Sequence, residues 1–214
     1  MTTPLLQVRD LLMQFQGLTA LDRVSFDVAA GSITSLMGPN GAGKTTLFNC
    51  VTGMYRPTAG QVTFDGTDIT ARRAHQVARA GIARTFQNLA LFTGLSVLDN
   101  LLVGTYLQGT SGVLQGAFLS RQARREREEG IQSAHTILDY LGLTAAARVL
   151  PGELPYGQQK QLEFGRALMQ KARLVLLDEP MAGMSSAEKD AMTQLIMRVR
   201  SEMGVSFLLV EHDV

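Results

Sequence analysis

Apolar residues are dense from Leu5 to Phe15, and from Val24 to Val28 they alternate, with Val24, Phe26 and Val28 set against Ser25 and Asp27. A period of two predicts strands, and these two are expected to form a small sheet. After the turn residue Gly31, Ser32 to Met37 reads as a further strand and Thr45 to Val51 as a helix that ends at Gly53. Arg56 to Gly60 is a turn and Gln61 to Asp65 a strand closed by Asp65-Gly66. Ala74 to Ala80 is a short helix stopped by Gly81, and Ile82 to Phe86 is extended chain leading to Gln87. From Phe92 to about Leu150 the pattern turns helical and irregular. Ser96 to Val103 is one helix, a Gly/Ser-rich link runs from Gly109 to Gly116, and a long helix capped by Ser120 carries Ile131, Ala134, Ile137, Leu138 and Leu141 on one face. Leu174 to Asp178 is a near-continuous apolar run, as expected of a strand covered on both faces. Ser185 and Glu188 fit a capping box for a helix reaching Met203 and stopped at Gly204, and Val205 to Val210 is one more buried strand that runs into Glu211-His212.

Strand, glycine-rich turn and helix follow one another at a single place. Gly38-Pro39-Asn40-Gly41-Ala42-Gly43-Lys44-Thr45-Thr46 matches the phosphate-binding loop pattern G-x-x-x-x-G-K-[ST]. Its glycines let backbone N–H groups converge on phosphate oxygens, and the helix that follows points its positive dipole end at the same oxygens. Lys44 adds a charge for the β and γ phosphates, and the Thr45 hydroxyl is placed to ligate Mg2+, so a nucleoside triphosphate such as ATP is the expected ligand.

Polar groups follow two more apolar runs: Asp178 and Glu179 after one, His212 after the other. In an open parallel sheet such strand ends share one crevice. Asp178 then joins the Mg2+ shell, Glu179 takes a proton from an attacking water, and His212 reaches the γ phosphate. An Asp-Glu pair alone is more often a solvated turn, and one His a satisfied surface residue; the three in register are what favours chemistry. Phe15 reads equally as strand core and as a platform for an adenine ring.

Composition narrows the setting. The 214 residues suffice for one large domain or two small ones, and 45% hydrophobic content with 18% charged residues belongs to a folded globular chain. No apolar run approaches the roughly 18 residues of a spanning helix, so membrane association is expected to go through a partner. The N-terminal Met1-Thr-Thr-Pro-Leu-Leu lacks the basic and apolar regions of a secretory signal, which predicts a cytoplasmic location. Cys50 is the one cysteine, so no internal disulfide or Cys-rich metal site is available, and a buried, inert thiol is expected. A net charge of +1 offers no general field for nucleic acid, and the basic cluster Arg121 to Arg127 is interleaved with Glu126 and followed by Glu128 and Glu129, as on a solvated helix face.

The order Gly38–Thr46, Gln87, Leu154-Pro-Tyr-Gly-Gln-Gln159, Leu174–Pro180 and His212 resembles the ATP-binding subunits of ABC transporters along the whole chain. Gly17 to Asp22, Ala83 to Asn88, the long link after Asn100 to Gly104 and Tyr156 to Gln159 are similar to the branched-chain amino acid uptake group within that family. The resemblance implies an α/β fold: a P-loop NTPase core of the RecA type, with an N-terminal antiparallel β subdomain and an inserted α-helical subdomain. The expected boundaries are 1–90 for the β subdomain and the first part of the core, 91–155 for the helical signature subdomain, and 156–214 for a second part of the core with a trimmed C-terminal end. It further implies an ATPase that powers uptake through transmembrane permease partners, fed by a solute-binding protein. Such a subunit sits on the cytoplasmic face of the inner membrane. In such families two subunits, identical or sister, clamp two ATPs between them.

The implied roles are Phe15 on adenine, Gly38 to Thr46 on the phosphates, Thr45, Gln87 and Asp178 on Mg2+, Glu179 as general base, His212 as switch, and Tyr156, Gly157 and Gln158 on the opposing nucleotide. Ala182 to Ser185 looks like the loop that links the two nucleotide sites. A soluble ABC ATPase would want coiled-coil arms, tandem nucleotide domains or a basic surface, and a regulatory subunit with impaired hydrolysis would want a missing base. Two positions depart from the family pattern. Ser185 replaces an acidic or amide residue. Pro155 replaces a serine whose hydroxyl reaches the γ phosphate, leaving the N–H groups of Tyr156 and Gly157 to meet it.

Overall fold

The computed structural model describes residues 4–85, 89–107 and 121–211. Its elements run β1 (Leu6–Phe15), β2 (Leu18–Val28), β3 (Ile33–Met37), α1 (Lys44–Val51), β4 (Ala59–Phe64), β5 (Thr67–Asp68), α2 (Ala74–Ala80), β6 (Ile82–Arg84) and α3 (Val97–Val103). They continue through α4 (Arg121–Leu141), α5 (Tyr156–Leu168), β7 (Leu174–Asp178), α6 (Ser186–Met203) and β8 (Ser206–Glu211). The chain packs as two units, one of Met1–Gln87, Ala172–Ala182 and Ile196–Val214, the other of Asn88–Lys171 and Gly183–Leu195.

The first unit holds both sheets. One is antiparallel, in the order β2-β1-β4-β5, and the other is parallel, in the order β3-β8-β7-β6. Leu6, Val8 and Leu11 of β1 and Val62 and Phe64 of β4 join Leu47, Phe48 and Val51 of α1 and Leu174, Leu176, Leu208 and Val210 of the parallel sheet in one core. All five residues of β7 are buried, which is why its sequence is a continuous apolar run with no alternation. Cys50 is buried as expected, and its burial pushes the thiol up to about 11.

The second strand is longer than its alternation predicts, opening at Leu18 and not at Val24. Phe15 pairs with Leu18 across Gln16 and Gly17, which have φ values of 45° and 91°. Two left-handed residues make the tight hairpin turn whose twist suits antiparallel strands. Register shifts between Val8 and Leu11 and again on either side of Met13 break the period of two, so Leu18 to Arg23 carries no readable strand pattern.

The second unit is helical, with Val97, Leu101, Ala134, Ile137, Leu138, Leu141 and Leu162 buried. Gly165 lets α5 close on its neighbours: a Cβ there would lie 2.5 Å from Leu141 Cδ1 and 3.0 Å from Leu101 Cδ2. Ser96 caps α3, its hydroxyl accepting from the Asp99 N–H at 3.1 Å. Fully buried Asn100 fixes the preceding turn by donating to the carbonyls of Phe92, Leu95 and Ser96. The expected apolar face of α4 is buried apart from Ile131, which is half-buried. The expected Gly109–Gly116 link and Ser120 cap lie outside the described residues.

Candidate functional site

At the carboxyl end of β3 the chain enters the loop 38–43, in which Gly41 and Gly43 have φ values of 83° and 85°. Gly43 has a second constraint, since a Cβ would lie 2.3 Å from the carbonyl oxygen of Ala20 in β2. Helix α1 opens on the next residue, and its first tie to the loop is the Leu47 N–H donating to the Gly43 carbonyl at 2.8 Å. Lys44 donates from Nζ to the carbonyl oxygens of Gly38 and, at 3.0 Å, Pro39, so the ammonium lies over the loop itself. Pro39, Asn40, Gly41, Ala42 and Thr45 are exposed, while Gly38, Gly43, Lys44 and Thr46 are half-buried. A helix N-terminus, a cation and a hydroxyl are thus collected at one strand end, an arrangement suited to phosphate.

In the parallel sheet β8 lies between β3 and β7, with Met37 paired to Glu211 and Asp178 to Val210. Asp178 is 4% exposed. Its Oδ2 accepts from Arg84 Nη2 at 2.8 Å, and Arg84 Nη1 donates to Asn49 Oδ1 on α1 at 2.5 Å. Glu179 follows with a φ of 49°, a left-handed backbone that costs a side-chain-bearing residue on the order of 1–2 kcal/mol. Two hydrogen bonds hold it there: the Glu179 N–H donates to the Val210 carbonyl at 3.0 Å, and the Ala182 N–H to the Glu179 carbonyl at 3.1 Å. The bend turns the chain off the sheet edge directly after Asp178 and leaves Glu179 half-buried. Lys44, Thr45, Asp178 and Glu179 therefore all sit at carboxyl strand ends of one sheet.

Phe15 ends β1 at 39% exposure and meets Tyr55 edge-on, with ring centroids 5.5 Å apart and planes at 76°. Of the two sequence readings for Phe15 the core one is set aside, because the ring is not buried. Gln87 and His212 lie outside the described residues.

Tyr156, Gly157 and Gln158 form the first turn of α5 in the helical unit. Pro155 is the N-cap, with φ −53° and ψ 151°, and has no side-chain hydrogen bond to give the helix. The cap comes from elsewhere. Glu188 Oε1 accepts from the Gly157 N–H at 3.1 Å, while Oε2 accepts from the Ser185 N–H at 2.9 Å and the Ser185 hydroxyl at 2.7 Å. Those bonds, the Ser185 N–H foremost, hold the Glu188 carboxyl below the usual carboxylate range. The Gly157 N–H, expected to be left for a phosphate, is thus engaged by a carboxylate in this structure. A Cβ at Gly157 would lie 2.5 Å from that same Oε1, so a larger residue there would have to displace the Glu188 carboxylate. Tyr156 remains 42% exposed, with its ring 3.3 Å from where a Cβ on Gly183 would be.

Sequence reasoning passed over Arg84, Asn49 and Tyr55 as site neighbours and saw Glu188 only as a cap for its own helix. A lone arginine inside the short strand Ile82–Arg84 was the available signal, because a charge in a strand beside a buried one calls for a partner.

The donor set suits Mg2+ with ATP: a hydroxyl and a carboxylate are hard oxygens, and Mg2+ takes one or two protein ligands alongside phosphates. Among the described residues no three or more His, Cys, Asp or Glu side chains converge on one point, as a dedicated protein cage would require.

A family model described as ABC transporter matches residues 21–182. This chain belongs to the ABC transporter family. It is an ATPase of that family, with the mixed α/β architecture of the ATP-binding cassettes. It is 42% identical over 214 residues to the high-affinity branched-chain amino acid transport ATP-binding protein BraF of Pseudomonas aeruginosa, covering 100% of this chain and 84% of that one. With LivG of Escherichia coli, of the same description, the identity is 38% at the same coverage. Among solved structures, the ADP conformation of MJ1267, an ATP-binding cassette of an ABC transporter, superposes with a TM-score of 0.86 at 33% identity, over 100% of this chain and 83% of that one.

Proposed function

We propose that this ATPase powers the uptake of branched-chain amino acids through transmembrane permease partners. The observation that carries the proposal is the likeness to BraF along all 214 residues of this chain. Among the described residues no helix is long and apolar enough to cross a membrane. On this reading the chain reaches the bilayer through the permease and works at its cytoplasmic face.

ATP is the nucleotide and Mg2+ its ion. Gly38 to Thr46 wrap the phosphates, with Lys44 on the β and γ groups, and Phe15 stacks on adenine. Thr45, Asp178 and Gln87 hold Mg2+, which neutralises charge developing on the phosphates during transfer. Glu179 accepts the proton of the attacking water, and His212 contacts the γ phosphate. The left-handed backbone of Glu179 supports its part, since strain held by two hydrogen bonds at a strand end marks a position the fold over-determines. A second subunit completes the site, with Tyr156, Gly157 and Gln158 meeting the partner's nucleotide.

Two experiments test this reading. Purified protein hydrolyses ATP with Mg2+; Lys44→Ala abolishes turnover, and Glu179→Gln binds ATP but stalls, accumulating an ATP-held dimer on size exclusion. Parental turnover in either variant removes that residue from its role. For the solute, the gene introduced with its neighbouring permease genes restores leucine, isoleucine and valine uptake to cells lacking their own ATP-binding subunits. Uptake of some other solute class in place of these would refute that part.

A further inference from the structure

The buried contact of Arg84 goes beyond the roles just assigned. Its guanidinium and the Asp178 carboxylate are 7% and 4% exposed, so the pair is shielded from water and from salt. One nitrogen, Nη2, serves Asp178 at the end of β7. The other, Nη1, serves Asn49 on α1. The carbon at the centre of the group stands 5.3 Å from the centroid of Phe48, also on α1, so the planar group is seated against the helix that it bonds. Asn49 lies one helical turn after Thr45, and β6, which carries Arg84, is registered on β7 with Arg84 opposite Leu176. A single rigid fork thus spans the two elements that bear the hydroxyl and the carboxylate of the metal shell.

We propose that Arg84 is a positioning residue for Mg2+: it holds Asp178 in register with α1, and through α1 with Thr45, before nucleotide arrives. This rests on the assignment of Thr45 and Asp178 to the metal shell. The geometry favours arginine because a planar guanidinium offers donors on two nitrogens at a fixed spacing, whereas the three donors of an ammonium all share one nitrogen and do not present that fork. Arg84 engages Oδ2, and Oδ1 would then be the oxygen offered to the ion or one of its waters. The arrangement parallels the outer partners that orient ligands in other metal sites, whose loss weakens metal binding by about 10–100-fold.

The test separates metal binding from nucleotide binding. Asn49→Ala cuts the link to α1 and leaves the buried ion pair in place; Arg84→Lys keeps the charge and removes the fork. For each full-length variant, the affinity of a fluorescent ATP analogue is measured in EDTA, and the Mg2+ concentration that half-saturates the tighter, metal-dependent binding is then measured by titration. Mn2+ binding in the presence of ADP, followed by electron paramagnetic resonance, gives a second readout that needs no turnover. The expected result is a metal midpoint raised by about tenfold in both variants, with metal-free affinity within about twofold of the parent, about 0.4 kcal/mol at about 1.4 kcal/mol per tenfold. A metal midpoint that stays at the parental value overturns the proposal. So does a parallel loss of metal-free and metal-dependent affinity, which would make the contact a support for the fold alone. If the parent protein binds no nucleotide under either condition, the metal-shell assignment itself fails.

Discussion

Replacing Gly43 by alanine tests whether the phosphate loop is held by backbone shape. Gly43 has a φ of 85°, a conformation that costs a residue with a Cβ about 1–2 kcal/mol. The added carbon would also lie 2.3 Å from the Ala20 carbonyl oxygen and 3.0 Å from Leu21 Cδ2. A backbone carbonyl within β2 cannot turn aside as a flexible side chain can, so either the strand or the loop has to shift, at about 1–3 kcal/mol on the scale of overpacking. Gly41 is the internal control: its φ is 83°, but nothing lies within 4 Å of its Cβ position. Alanine stiffens the unfolded chain equally at both sites, so that contribution, about 0.4–1 kcal/mol, cancels in the comparison. Gly43→Ala is therefore expected to lose about 1–3 kcal/mol more than Gly41→Ala, with a thermal midpoint lower by several degrees, at roughly 2–4 °C per kcal/mol for a chain of this size. Urea unfolding of both variants measures the difference, and binding of a fluorescent ATP analogue shows whether the loop has opened. Equal losses at the two positions would refute the argument that close approach to β2 matters.

Further outcomes follow from other parts of the molecule. Cys50, buried and pushed up to about 11, is expected to resist iodoacetamide at mildly alkaline pH and to react within minutes in denaturant; prompt labelling of the native protein would show the thiol to be open. Asp65, Asp68 and Glu188 are held below the usual carboxylate range by the Arg173 guanidinium, the Thr70 hydroxyl and the Ser185 N–H respectively. Their contribution to stability is complete above the ordinary carboxylate values of about 4 and is lost as pH falls through the lower folded values. Urea midpoints should therefore hold between about pH 6 and pH 5 and fall below about pH 4, and a rise on acidification would contradict this. Pro155→Ser, in the Glu179→Gln background, supplies the hydroxyl missing beside the first turn of α5 and should tighten the ATP-dependent dimer by about tenfold, the worth of one hydrogen bond to a charged group. An unchanged midpoint with the fold intact would mean that backbone donors already satisfy the phosphate.

Features that depend on neighbours along the chain are legible from the residues alone. The glycine and lysine spacing from Gly38 to Thr46, the short helix from Ala74 to Ala80 with its Gly81 stop, and the apolar run ending in Asp178 are all local, and each formed where its pattern places it. Local rules suffice there because turn chemistry and hydrophobic period act within a few residues. Features that join residues far apart emerge only once the chain is folded. The hairpin at Gln16 and Gly17 forms although bulges erase the alternation that would announce it. The engagement of Gly157 by Glu188 joins positions 31 residues apart, and that of Asp178 by Arg84 positions 94 apart. Both have one cause: burial removes water as a partner, so a helix end without its own cap or a carboxylate inside a sheet must find a charge or donor wherever the fold brings one, and sequence spacing carries no record of that distance.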